Sequence, residues 1–145
     1  MREPDLQNNP TWLAVVAVAM LGEGGRLLMH RRPPGKAHAG LWEFPGGKVE
    51  ATETPHEALI REITEELDIA LDPALLEPWA FAETKAPDAE RPIVLLLYKA
   101  RGWQGEPRSC EGGECGWFSW AEARHLPMPP LDQRLFAQLA VIMDG

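Results

Sequence analysis

A chain of 145 residues has room for one domain around a real hydrophobic core. Its formal net charge of −8 argues against the basic surface that wrapping a nucleic-acid backbone requires. Cys110 and Cys115 lack the second pair that a zinc ribbon needs, and read as free thiols of a reducing cytosol.

Met1–Pro10 is polar and reads as a flexible tail. It has no basic leader segment, and the apolar run Leu13–Leu21 is too short to span a bilayer, so a soluble cytoplasmic protein is expected. Thr11–Leu21, rich in Val and Ala, predicts a buried strand. Gly22-Glu23-Gly24-Gly25 predicts a turn, and Arg26–Arg32 the partner strand of a hairpin. No Gly-Lys-Ser/Thr follows those glycines, so they are not read as a phosphate loop. After a Pro/Gly/Lys loop at Pro33–Gly40, Leu41–Phe44 predicts a short strand entering a Pro45-Gly46-Gly47 turn. Glycine there lets the main chain approach a ligand closely and turn a carbonyl oxygen toward it.

Thr54, Pro55 and Glu57 form the start signal of a helix: a capping hydroxyl, a proline at the first position and the acid of a capping box. Nothing breaks the helix before Leu67. Leu59, Ile60, Ile63 and Leu67 fall on one apolar arc, while Glu62, Glu65 and Glu66 crowd its flank within roughly 100° of one another. Carboxylates gathered at the edge of a buried face repel each other and lose hydration, which a hard divalent cation offsets best. An all-oxygen donor set suits Mg²⁺, with Mn²⁺ as substitute, and Mg²⁺ usually takes up substrate phosphates as well. The competing reading is a solvated acidic face with Arg61 paired to Glu57 and Glu65.

Downstream, Asp72–Pro78 reads as a loop, and Trp79–Thr84 and Pro92–Ala100 as strands joined by a polar turn at Lys85–Arg91. The second of these strands is apolar on both faces and is expected to be central. Gly116–Trp120 predicts another strand, and Ala121–His125 one helical turn. After Pro129-Pro130, the spacing of Leu131, Leu135, Leu139 and Ile142 predicts an amphipathic terminal helix. This order of elements suggests a mixed sheet between helices, an α/β/α sandwich.

The stretch from Gly47 to Ile69 resembles the signature of the Nudix hydrolase family: Gly, five residues, Glu, seven residues, then Arg-Glu-apolar-any-Glu-Glu-any-Gly-apolar. Those places hold Gly47, Glu53, Arg61, Glu62, Ile63, Glu65, Glu66, Asp68 and Ile69. Asp68 departs from the family glycine, at a position expected to need a left-handed backbone, with a cost of about 1 kcal/mol. The resemblance runs from Trp12 to about Met143. It implies an α/β Nudix fold over residues 11–145 behind a tail of residues 1–10. The flanking LWEFPGGK, Glu111-Gly112-Gly113 and Met128-Pro129-Pro130 look like the MutT-type branch.

That resemblance implies Mg²⁺-dependent hydrolysis of a nucleoside triphosphate to monophosphate and pyrophosphate, in the sanitation of oxidised purines such as 8-oxo-dGTP. By analogy, the Gly46 carbonyl, Glu62, Glu65 and Glu66 hold metal, and Glu111 is a distant ligand or water-activating group. Glu62 is favoured as general base, although any of the three helix glutamates could be base or ligand. Glu53 orients the cluster and Arg61 pairs with it. Arg32, Lys48 and Arg91 are candidates for phosphate contact. Trp42, Phe44 and Phe81 are either a stacking wall for the base or simply core. Asp132 either reads the base edge or caps the terminal helix. Alternatives are another nucleotide (CTP, dCTP or a dinucleotide pyrophosphate) or an idle nucleotide-binding regulator. A monomer or homodimer without nucleic-acid or membrane partners is expected.

Overall fold

The computed structural model describes residues 12–84 and 91–143. The tail expected at Met1–Pro10 lies outside them, as does the turn expected at Lys85–Arg91 apart from Arg91 itself.

Strand β1 (Leu13–Met20) alternates between two cores, and this alternation places every other layer. Val16, Val18 and Met20 face helix α1 (Pro55–Leu67), packing with Leu59, Ile63 and Leu67. Ala17 and Ala19 face the other way, toward Leu135, Phe136 and Leu139 of α3 (Pro130–Met143). Strand β7 (Ile93–Ala100) runs parallel to β1 along its whole length, with β6 (Leu76–Glu83) antiparallel on its far side. On the other edge of β1 lies β4 (Gly46–Lys48), also antiparallel. The sheet order β4-β1-β7-β6 is therefore mixed, with β7 in the interior as its two apolar faces required. Two helices on opposite faces complete the α/β/α sandwich.

Strand β2 (Leu27–Arg31) does not form the expected hairpin with β1. Both edges of β1 are already occupied, by β4 and β7, and only a single bridge joins Leu21 to Leu27. Instead β2 sits between β3 (Trp42–Glu43) and β9 (Glu114–Phe118) in a second sheet. Of the expected Pro45–Gly47 turn, Pro45 is a bend and Gly46 and Gly47 belong to strand β4. A Cβ on Gly46 would stand 1.9 Å from the Val16 carbonyl oxygen, so glycine serves close strand approach here. The expected Asp72–Pro78 loop contains a 3₁₀ turn at Pro73–Leu75, capped by Asp72, before β6 begins at Leu76. A small sheet of β5 (Ala70–Leu71) and β8 (Trp103–Gln104) had no clear periodic signal. The short helix α2 (Trp120–Ala123), capped by Ser119, begins one residue ahead of the turn expected at Ala121–His125.

Helix α1 begins as its sequence required: Thr54 Oγ1 accepts from the Glu57 amide at 3.2 Å, and Glu57 Oε1 accepts from the Thr54 amide at 2.9 Å. It ends at Asp68 in the left-handed region, φ 57° and ψ 41°. At the open edge of β6, Gln138 and Arg134 of α3 donate to the Phe81 and Glu83 carbonyl oxygens, each at 2.8 Å.

Candidate active site

Helix α1 carries Arg61 to the loop that follows β4, and Arg61 ties the two together. Its Nε and Nη2 donate to the two carboxylate oxygens of Glu53 at 2.6 and 2.7 Å, a bidentate pair. The same Nη2 donates to the Lys48 carbonyl at 3.2 Å, and Nη1 donates to Glu62 at 2.9 Å and Glu65 at 3.3 Å. Glu53 also accepts from the Glu50 amide at 3.0 Å. The hydrogen bond from Arg61 is the main reason the Glu53 carboxyl is held down at about 2. Arg61 therefore spans loop, edge strand and acidic helix face rather than pairing with Glu57.

Burial pushes the Glu62 carboxyl up, against the opposing pull of Arg61. Its carboxylate lies against Gly47, where a Cβ would stand 2.3 Å from Cδ and from Oε2. Glu66, one helical turn on, is still more enclosed, and burial raises it too. His30 Nδ1 is 2.9 Å from Glu66 Oε1. Glu65 is more exposed. Glu111 follows Cys110, whose amide donates to the Glu66 carbonyl at 2.9 Å, and its charge acts on both Glu62 and Glu66.

The β1–β4 ladder directs the Gly46 carbonyl outward. Val18 and Val49 donate to Pro45 and Ala14 across the ladder, so alternation makes Ala17↔Gly46 and Val15↔Lys48 the non-bonded pairs. The carbonyls of Gly46 and Lys48 thus leave the sheet on the same side, and Lys48 spends its oxygen on Arg61. Glu62, Glu65, Glu66, Glu111 and the Gly46 carbonyl are all hard oxygen donors, the chemistry that suits a divalent cation of the Mg²⁺ type. Among the described residues, however, no three His, Cys, Asp or Glu side chains stand together as a metal-binding group. Glu62 and Glu65 are turned to Arg61, and Glu66 to His30.

Beside this acidic face opens a cleft of about 480 Å³, whose lining includes Arg32, Phe44, Gly46, Gly47, Lys48 and Asp132. Gly47 is common to the cleft wall and the Glu62 contact. Arg32 donates to Glu43 at 3.0 Å and to the Ala37 carbonyl at 2.7 Å. Phe44 is buried and stacks on Phe136 with ring centroids 5.0 Å apart, while its amide donates to Asp132 Oδ2 at 3.0 Å. Asp132 is only 4% exposed, and burial pushes its carboxyl up to about 7.

Two expected contacts are not brought to this cleft. Phe81 lies on the opposite face of the sheet: Ala80 and Ala82 on either side of it pack with Leu95 and Leu97, leaving Phe81 58% exposed. Arg91 is exposed ahead of β7 and is not part of the cleft lining. Trp42 packs edge-on against Phe118 as a core contact. Sequence reasoning missed Glu43, His30 and Ser109. Glu43 is the polar interruption of the apolar run LWEF, a signal that was readable; His30 only closes LLM ahead of Arg31 and Arg32, and Ser109 had no signal.

Among the described residues no helix is long and apolar enough to cross a membrane. The NUDIX domain model matches residues 10–139. The 8-oxo-dGTP diphosphatase of Haemophilus influenzae is 36% identical over 129 residues, 88% of this chain and 90% of that relative. The CTP pyrophosphohydrolase of Escherichia coli is 33% identical over 117 residues, 81% of this chain and 84% of that relative. The solution structure of the E. coli ORF135 protein superposes with a TM-score of 0.78 at 31% identity, covering 92% of this chain and 91% of that one. Hydrolases of this kind generally work with divalent metal ions. With its signature carboxylates on the flank of α1 and its helices on both faces of a mixed sheet, the chain belongs to the Nudix hydrolase family.

Proposed function

We propose that this protein is a cytoplasmic, Mg²⁺-dependent pyrophosphohydrolase that cleaves a nucleoside triphosphate to monophosphate and pyrophosphate, with a purine oxidised at C8, as in 8-oxo-dGTP, as its preferred base. The observation that carries this reading is the continuity of one cleft. Its lining passes from Gly46, Gly47 and Lys48, beside the acidic face of α1, to Phe44 and the buried Asp132. Phosphates and base of one nucleotide can thus be engaged together.

The Gly46 carbonyl, Glu62, Glu65, Glu66 and Glu111 are the groups that would hold Mg²⁺. When bound, the ion neutralises phosphoryl charge and lowers the pKa of a coordinated water. Glu62 is the favoured proton acceptor, because burial makes its carboxylate more basic than an exposed one. Glu53 stays ionised and fixes Arg61, which keeps Glu62 and the β4 edge in register. Arg32 and Lys48 supply positive charge inside the cleft.

Asp132 is suited to a base edge in two forms. As the acid it donates to an acceptor such as purine O6; as the carboxylate it accepts from the N7–H created by oxidation at C8. The carboxylate also suits the exocyclic amine of cytosine, which supports CTP or dCTP as a second reading alongside the CTP pyrophosphohydrolase relative. The two free cysteines fit a reducing compartment.

The test is incubation of the purified chain with Mg²⁺ and a panel of normal and oxidised nucleoside triphosphates, with product analysis. Monophosphate plus pyrophosphate, formed fastest from the C8-oxidised purine, is the expected result. Preference for CTP selects the second reading, and tight binding without turnover overturns both. Glu66→Gln should lower kcat by about 100-fold or more with the fold intact, as loss of a metal-facing carboxylate requires.

A further inference from the structure

Glu66 is the most enclosed of the helix carboxylates, with its side chain 9% exposed, so its charge must be met within the protein. What meets it comes from a different sheet. His30 of β2 is 2% exposed, with Nδ1 2.9 Å from Glu66 Oε1 and Nε2 3.0 Å from Ser109 Oγ. Despite that approach, the buried Nδ1 makes no well-directed hydrogen bond among the described residues. The 2.9 Å approach sets the imidazole directly against the carboxylate, which leaves that contact as the nearest acceptor for Nδ1.

The ring has little freedom to turn away. A Cβ on Gly113 would stand 3.2 Å from His30 Nε2, so the glycine backbone closes over the imidazole. Ser109 lies in the loop before β9, and the next residue, Cys110, donates its amide to the Glu66 carbonyl. That loop therefore reaches Glu66 by two routes, a backbone hydrogen bond to its carbonyl and the Ser109-held imidazole of His30 lying 2.9 Å from its carboxylate. Glu111 is the next residue along.

We propose that His30, backed by Ser109, is a positioning residue that holds Oε1 of Glu66 so that the other carboxylate oxygen is presented to a divalent cation at the acidic face of α1. The same contacts fasten the Glu111 loop to that face. A histidine anchored on one nitrogen and directing a metal-binding carboxylate with the other acts as outer-shell partners do, and loss of such a partner costs about 10–100-fold in metal affinity. The inference rests on the metal site of the proposed function.

The experiment measures Mn²⁺ binding to the nucleotide-free full chain by electron paramagnetic resonance of the free ion, alongside thermal unfolding without metal. His30→Leu should weaken Mn²⁺ binding by about 10-fold or more. His30→Asn, whose amide can occupy the place of Nδ1, should keep it within about threefold of the wild type. Ser109→Ala, on a partly exposed loop, should weaken binding by a smaller factor with an unchanged Tm, and together with His30→Asn it decides the matter should His30→Leu not fold. Wild-type affinity in a folded His30→Leu protein, or equal losses in His30→Asn and His30→Leu, would overturn the positioning role while leaving the hydrolase reading in place. A wild-type chain that binds no Mn²⁺ would remove the metal site itself, and the inference with it.

Discussion

Gly47 offers the sharpest separation of chemistry from folding. A Cβ there would stand 2.3 Å from Glu62 Cδ, whereas ordinary contact begins at 3.4 Å. In Gly47→Ala the carboxylate must therefore retreat by about 1 Å, and its 2.9 Å bond from Arg61 must shift with it. A displacement of that size at a reacting group costs on the order of 100-fold in rate, equivalent to about 2.7 kcal/mol of barrier. Stability should change little. Gly47 is not among the positive-φ residues, so alanine fits its backbone dihedrals, and the roughly 0.4–1 kcal/mol from reduced freedom of the unfolded chain is offset by the displaced Glu62–Arg61 bond. Pyrophosphate release at saturating nucleotide and Mg²⁺ gives kcat, and thermal unfolding gives Tm. A Gly47→Ala protein with near-normal kcat and unchanged Tm would show that the seat of Glu62 against this backbone is irrelevant to turnover.

Further expectations follow from charge and backbone. The Glu53 carboxyl is held at about 2, below its unfolded value near 4.3, so its stabilising contribution is present above pH ~4.3 and is lost as pH falls toward 2. Glu53→Gln should flatten stability against pH in that acid window, as urea unfolding between pH 2.5 and 5 would reveal. Asp132 is shifted oppositely: folding is unpenalised below pH ~3.9 and loses stability as pH rises toward 7. Asp132→Asn should therefore be more stable than the wild type at pH 8 and indistinguishable from it near pH 4, and should also reorder the substrate panel. At the end of α1, Asp68→Gly should gain about 0.5–1 kcal/mol by relieving the left-handed residue, since the Arg108 ion pair it loses is exposed. A fall in the urea midpoint of that variant would contradict this ledger.

Much of this site was legible because its parts are local. The capping box, the arc of Leu59, Ile63 and Leu67, and the crowding of three glutamates are all local to one helix, and the left-handed stop at Asp68 was carried by the family glycine at that place. The Arg61–Glu53 pair was carried by family spacing across a single loop. What failed was long-range pairing. Nothing in β1 or β2 says that β7, some 80 residues on, claims the edge that a hairpin would have used. Phe81 failed for a related reason, since a one-residue change of register reverses the face a strand residue occupies, and its run is apolar on both sides. His30 and Ser109 lie 79 residues apart, so only the folded chain could show them meeting at Glu66.

The side chains of Gln138 and Arg134 that reach across to β6 have a colloidal consequence. A terminal strand with free carbonyls and an outward phenyl ring is a template on which another molecule could zip, yet Phe81 and Glu83 already spend those oxygens on α3. Clipping or unwinding the last helix would thus do more than open the core beneath it. It would uncover a sticky seam, and fibrous or amorphous self-assembly should begin there.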